Sequence, residues 1–250
     1  MSTAPLLADS RPNLASEIER SLAREILRGE RVPGSHLPPV RDLARIWKVT
    51  PPTIQRVVDR LEASGLVSAR RGSGVTVNDP LRSADLSLLP LWFEALADQP
   101  ERAESILDNF LELRRVVAAH LARSAADRIL AAAPRLLERL QAVEEAKTLT
   151  EVTEADLAFT RAVVEAANQF AVASIFHTAE RLVREVPHLS EALYGDRAYH
   201  RRALRRAIGA LAGAPAEAVS ELEQALAVWD RRTVTRFRQL LEQARSKRSE

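Results

Sequence analysis

Along most of this chain apolar residues recur at intervals of three and four, the spacing that puts them on one face of a helix. Residues 14–28, "LASEIERSLAREILR", turn Ile18, Leu22, Ile26 and Leu27 to one side. The run "GERVPGSHLPP" breaks that helix, and a second, short one at about 39–47 presents Val40, Leu43, Ala44 and Trp47. After a turn at Lys48-Val49, a third begins at Pro51-Pro52, with Ile54, Val57, Val58 and Leu61 on its inner face. Proline suits this start, because it has no amide hydrogen to leave unpaired in a first turn and its φ is already helical. Thr50 is placed as an N-cap whose hydroxyl accepts from a free amide, and Gly65 as the left-handed stop. The outer face carries Gln55, Arg56, Asp59 and Arg60. Beyond Gly65 the period changes: "LVSARRGSGVTV" alternates and is rich in β-branched residues, which predicts a hairpin tipped by Arg70-Arg71-Gly72-Ser73-Gly74.

Two short helices around a tight turn form the pattern of a helix-turn-helix, and a basic hairpin after them completes a winged helix. The third helix is narrow enough to enter a DNA major groove by its N-terminal end, and the hairpin tip can carry arginines to phosphates or a minor groove. Local charge agrees. The whole chain has a net charge of only +2, yet residues 40–75 hold 7 Lys/Arg against 3 Asp/Glu.

From about residue 80 the pattern is almost wholly helical. Residues 1–13 read as a flexible N-terminus, 14–78 as the winged helix, "DPLRSADLSLLP" as a linker (79–90), and 91–245 as an all-α bundle. Helices are expected near 91–98, 101–123, 125–146, 151–168, 170–186, 196–212 and 215–245, with a kink or split at Pro134 and a break at Pro187. The fold class is mainly α: an N-terminal winged helix-turn-helix followed by a helical bundle.

Several polar residues fall on the bundle's apolar stripes. Arg114 follows Ile106 and Phe110, Asp156 and Thr160 accompany Phe159 and Val163, and His200 continues the line of Leu204, Ala207, Ile208 and Leu211. Trp229 stands with Leu222, Leu226 and Phe237. Such groups are costly to bury unless paired or met by a ligand. Two arrangements answer this: an internal Arg114–Asp156 salt bridge with His200 beside it, or a pocket in which Arg114 anchors an anionic molecule. Of the other histidines, His177 falls on a polar face, while His36, His120 and His188 have no obvious partner.

Composition narrows the classes. The 250 residues include no cysteine, which removes disulfides and thiolate metal sites and suits a reducing cytosol. The N-terminus lacks the basic start and apolar core of a signal peptide, and no apolar run reaches the length of a membrane span. No glycine-rich phosphate loop and no nucleophile–base spacing points to an enzyme, so no catalytic residue and no cofactor is expected.

The stretch "LPPVRDLARIWKVTPPTIQRVVDRLEASGLVSARRGSGVTV" resembles the DNA-binding module of the GntR family of bacterial transcription regulators, over roughly residues 14–78. The resemblance implies DNA contacts at Arg41, Thr50, Thr53 and the hairpin tip Arg71-Gly72, with Gln55, Arg56 and Arg70 on the same surface. Where the family often has arginine, this chain has Pro51 and Gln55; arginine reads guanine, whereas glutamine favours adenine. Lys48 replaces the usual glycine of the turn. In the second domain, "ILDNFLELRRVVAAHLA", "EADLAFTRAVVEAAN" and "YHRRALRRAIGAL" resemble the ligand domain of the FadR subfamily. That implies a cytoplasmic homodimer that binds an operator and is controlled by a small effector near Arg114, Asp156, Thr160, His200 and Trp229. Many members hold a divalent metal there; Asp156 and His200 match two ligands, but Thr160 replaces another and no histidine follows His200, so no metal is expected. Metal-free members bind long-chain acyl-CoA, which makes an acyl-CoA, a fatty acid or another carboxylate the implied effector. Leu222 and Ala225 stand where those members have the small residues that admit the coenzyme. The alternative is an effector-independent dimeric DNA-binding protein whose bundle is purely structural.

Overall fold

The computed structural model describes residues 14–70, 72–83, 85–210 and 215–249. The expected flexible N-terminus, Arg71 and Leu211 lie outside them. The chain divides into two compact units, Met1–Ala95 and Leu96–Glu250.

In the first unit, α1 (Leu14–Leu27), α2 (Val40–Trp47) and α3 (Pro51–Ala63) precede an antiparallel pair, β1 (Val67–Arg70) and β2 (Gly74–Val77). The register pairs Val67 with Val77 and Arg70 with Gly74. His36 adds a bridge to Thr76, so the loop before α2 lies along the outer edge of the hairpin. Ile18, Leu22, Ile54, Val57, Val58 and Leu61 are all buried in one core, as their helical spacing requires. Glycine is needed at the hairpin tip, where Gly72 and Gly74 both have φ of +81°. The hairpin is tied to α3 by polar bonds: Ala69 donates its amide to Glu62 (2.8 Å), and the Asn78 side chain donates to the Gly65 carbonyl (2.9 Å).

The described residues of the segment expected as a linker are mostly in helical turns. The segment contains α4 (Pro80–Ser83), then a 3-10 turn at Leu86–Leu88 capped by Asp85, and leads into α5 (Leu89–Ala95). The boundary expected at residue 91 falls instead at Leu96. α5 packs against α1, where Leu91 and Trp92 join the first core and Glu94 pairs with Arg24 at 3.0 Å. An amphipathic pattern shows that a helix has a buried face and leaves its partner unspecified, which is why α5 reads equally well as the start of the bundle.

The second unit contains α6 (Pro100–Ser124), α7 (Ala126–Ala131), α8 (Ala133–Glu145), α9 (Leu149–Ala167), α10 (Phe170–Glu185), α11 (Pro187–Tyr194), α12 (Arg197–Ala210) and α13 (Pro215–Ser249). α6 and α13 run along each other as its axis. Pro134 does split the third expected helix, and α8 starts around it. Pro187 marks a start as well as a break, because it stands at the first turn of α11, a helix the sequence pattern did not predict. α9 opens two residues before its expected start through a reciprocal cap: Glu151 N–H donates to the Thr148 hydroxyl, and the Glu151 carboxylate accepts from the Thr148 amide.

The turn between α2 and α3 carries a cost. Lys48 caps α2 in the left-handed region (φ 53°, ψ 42°), donating its amide to the Arg45 carbonyl. A side chain there costs about 1 kcal/mol relative to glycine. Lys48→Gly is therefore expected to stabilise the first unit by up to about 1 kcal/mol, seen as a rise of its melting transition by thermal circular dichroism.

Candidate functional site

The N-terminal end of α3 is exposed and built from short, stiff parts. Pro51 and Pro52 occupy its first turn, and the amides of Thr53 and Ile54 donate to the Thr50 carbonyl. The Thr50 hydroxyl does not cap the helix as expected: it pairs with the Thr53 hydroxyl at 3.0 Å. With two of the free amides removed by proline, little remains for a capping oxygen to satisfy. Two hydroxyls and the exposed side chains of Gln55 and Arg56 thus face outward together.

The cations sort into two groups. Arg41 near the start of α2, Arg56 on α3 and Arg70 at the end of β1 are exposed and have no ion-pair partner among the described residues. Arg60 is instead a brace, pairing with Glu19 of α1 at 3.1 Å and reaching Ser16 at 3.3 Å. Asp59 accepts from the Gln55 amide at 2.9 Å. Gly72 lies in the left-handed turn of the hairpin tip, beside Arg71, which lies outside the described residues.

The second unit encloses an apolar cavity of about 450 Å³, within the usual range for a small-molecule site. Its walls come from α6 to α13, and the stripe Phe110, Leu113 and Val117 lines it, half-buried because the space beside it is open. Arg114, Asp156, Thr160, Tyr194 and Trp229 are the polar residues on its surface. Leu130 and Leu137, both largely exposed, lie on its α7–α8 side.

The internal Arg114–Asp156 bridge does not form. Arg114 and Arg115 both donate to Asp230 of α13, the latter at 2.7 Å, and Asp230 is fully buried. Asp156 accepts from the Tyr194 hydroxyl at 3.0 Å. Burial, and next the negative charge of Asp156, hold the Tyr194 phenol well above its ordinary pKa, so it stays a donor. His200 is also fully buried; its Nε2 lies 3.3 Å from Asp156, out of line for a hydrogen bond. Its ring sits edge-on between Tyr194 and Trp229, with centroids 4.9 and 5.0 Å away. The Arg114 guanidinium lies over Trp229, 5.3 Å from its centre. Elsewhere, His120 has a partner that its position in the sequence does not reveal, Gln169 at 3.0 Å.

Asp230, Arg115 and Tyr194 join the site without having stood out in the sequence. For Asp230 a signal existed: it stands four residues after Leu226 and seven before Phe237, inside the apolar stripe of α13. A resident divalent ion does not fit this donor set. Asp156 and His200 are neighbours, but the carboxylate is engaged by Tyr194, and no three His, Cys, Asp or Glu side chains gather among the described residues.

A helix-turn-helix with an exposed second helix, a basic hairpin beside it and a separate helical unit define a DNA-binding transcription regulator. The comparisons with known proteins agree. The model of the bacterial regulatory proteins of the gntR family matches residues 14–77. Over 91% of this chain and 93% of the other, it is 31% identical to an uncharacterized HTH-type transcriptional regulator of Mycobacterium tuberculosis. It is 36% identical to the regulator Mce2R of the same species over 53% of this chain and 52% of that one. To a fatty acid metabolism regulator protein of Shewanella amazonensis it is 30% identical, over 52% and 53%. Among solved structures, Lar of Listeria monocytogenes aligns with 90% of this chain and 98% of its own (TM-score 0.50, 19% identity), a likeness of fold. The chain belongs to the GntR family of bacterial transcription regulators.

Two outcomes follow from the geometry. Replacing Arg41 or Arg70 with alanine is expected to weaken DNA binding at all sequences and to lower the slope of log K against log salt by about 0.9 for each phosphate no longer neutralised. Arg60→Ala is expected to leave that slope unchanged; salt titrations by fluorescence anisotropy distinguish the two groups. Asp230→Ala, which leaves two arginines without their buried carboxylate, is expected to destabilise the second unit by about 3–5 kcal/mol, measured by denaturant unfolding.

Proposed function

We propose that this chain is a homodimeric, ligand-responsive regulator of the FadR type, cytoplasmic, whose DNA affinity changes when an amphipathic carboxylate enters the helical unit. The effector class is an acyl-CoA, a fatty acid or another molecule with a long apolar body and an anionic head. The observation that carries this reading is the apolar cavity with Arg114 on its surface. Arg114 and Arg115 share the single carboxylate of Asp230, so one positive charge at that place is not neutralised by the pair. An anionic head there pairs with Arg114 while the apolar walls take the chain, the Asp156 carboxylate on the same surface being engaged by the Tyr194 hydroxyl. Relatives in Shewanella amazonensis, Shewanella putrefaciens and Shewanella oneidensis bear the name fatty acid metabolism regulator protein, which favours the same class. For the location, no helix among the described residues is long and apolar enough to cross a membrane.

A second reading, an effector-independent dimer with a structural bundle, draws on the same Arg114–Asp230 pair, because it already gives the arginine an internal partner. Thermal shift separates the two. A long-chain fatty acid or acyl-CoA at 100 times its Kd is expected to stabilise the protein by about 2.7 kcal/mol and to change its affinity for operator DNA. Val163→Trp, which fills the cavity from α9, is expected to abolish both effects while leaving DNA binding intact. No shift with any apolar carboxylate, together with no small molecule in native mass spectra of the purified dimer, favours the structural reading.

A further inference from the structure

On α3 the chain puts an acidic residue where a DNA-facing helix gains nothing from negative charge. Asp59 is exposed, one turn after Gln55, on the flank opposite the buried row Ile54, Val57, Val58 and Leu61. Against phosphates it is repulsive, and neither an arginine nor a lysine pairs with it among the described residues. Its partner is the Gln55 side chain, whose Nε2 donates to Asp59 Oδ1 at 2.9 Å.

That bond has a chemical consequence. A glutamine amide has nearly the same shape in its two orientations, 180° apart, and the two exchange the positions of its donor and acceptor. A carboxylate only accepts, so Asp59 allows the one orientation that turns Nε2 toward it. One N–H of Nε2 is used, and a second N–H and the carbonyl Oε1 remain beside each other. Adenine shows the complementary pair in the major groove, N7 as acceptor and N6–H as donor; guanine shows two acceptors there. Across the groove an A·T pair and a T·A pair present that donor and acceptor in opposite order. An amide free to turn fits either; a fixed amide fits one.

We infer that Asp59 is a positioning residue that fixes the orientation of the Gln55 amide, so that one operator position requires adenine on a defined strand. The stiff start of α3 supports this, because Pro51, Pro52 and the paired Thr50 and Thr53 hydroxyls hold the helix end from which Gln55 projects.

The test is selection of binding sites from a random duplex pool by the full-length wild-type chain and by Gln55→Ala, Asp59→Asn, Asp59→Ala and the Gln55→Ala/Asp59→Asn double variant. The position that loses its preference in Gln55→Ala is the one Gln55 reads. In the wild type, adenine is expected there on one strand, favoured over thymine by roughly tenfold. In Asp59→Asn, which can donate or accept, adenine and thymine are expected to become nearly equal there, with guanine and cytosine still disfavoured. The other positions remain unchanged, and general affinity holds or rises as a negative charge is removed. The double variant is expected to match Gln55→Ala. Retention of the full strand preference in both Asp59 variants overturns the inference. So does a change spread over positions that Gln55→Ala leaves untouched, which marks a merely structural role. A wild-type motif without adenine at the Gln55 position, or with no position sensitive to Gln55→Ala, overturns it as well.

Discussion

One buried carboxylate organises the helical unit. Asp230, in the middle of the longest helix, is removed from water and held by two consecutive arginines of α6. A charge so placed is tolerable only while its partners keep station, so the pair fixes the register of α6 against α13. The rest of the unit is arranged around that pairing. The side of α6 that carries Ala103, Leu107 and Leu111 is closely packed. The neighbouring stripe of Phe110, Leu113 and Val117 lines the cavity and is half-buried, and Leu107 and Leu111 line it from the buried side. The same two arginines carry one more charge than Asp230 cancels, and the Asp156 carboxylate lies on the wall of the same cavity, held by Tyr194.

The winged-helix unit follows a different logic, in which stiffness is local. Prolines start α3, glycines at positive φ turn the hairpin, and Glu62 and Asn78 bind the hairpin to the helix that precedes it. The charged side chains that resemble one another in the sequence divide by function in space: Arg60 ties α3 to α1, whereas Arg41, Arg56 and Arg70 stay free of ion pairs among the described residues. These side chains are presented from a rigid frame, which is what base reading requires.

Much of this is legible in the residues. The helices of the first unit, the hairpin and the split at Pro134 each have a signal confined to a few neighbouring positions. The same local rule also misleads: a proline that starts a helix looks like one that ends it, and Pro187 both closes α10 and opens α11. α5 is legible as a helix but not as a companion of α1. The Thr50 hydroxyl suits a cap, and finds a second hydroxyl instead.

What the sequence determined by itself is the material of the two sites: an amide, hydroxyls and arginines at one helix end, and a cation, carboxylates and an imidazole on apolar stripes. It determined this because side-chain direction along a helix repeats every 3.6 residues and needs no knowledge of the fold. Only the tertiary structure decided the partners. Arg114 had Asp156 and Asp230 within the reach of the same stripes, and the axial packing of α6 on α13 gave it the one 116 residues away, leaving Asp156 to Tyr194. Charge pairing acts over a few ångströms, and which groups come that close depends on how whole helices are laid together.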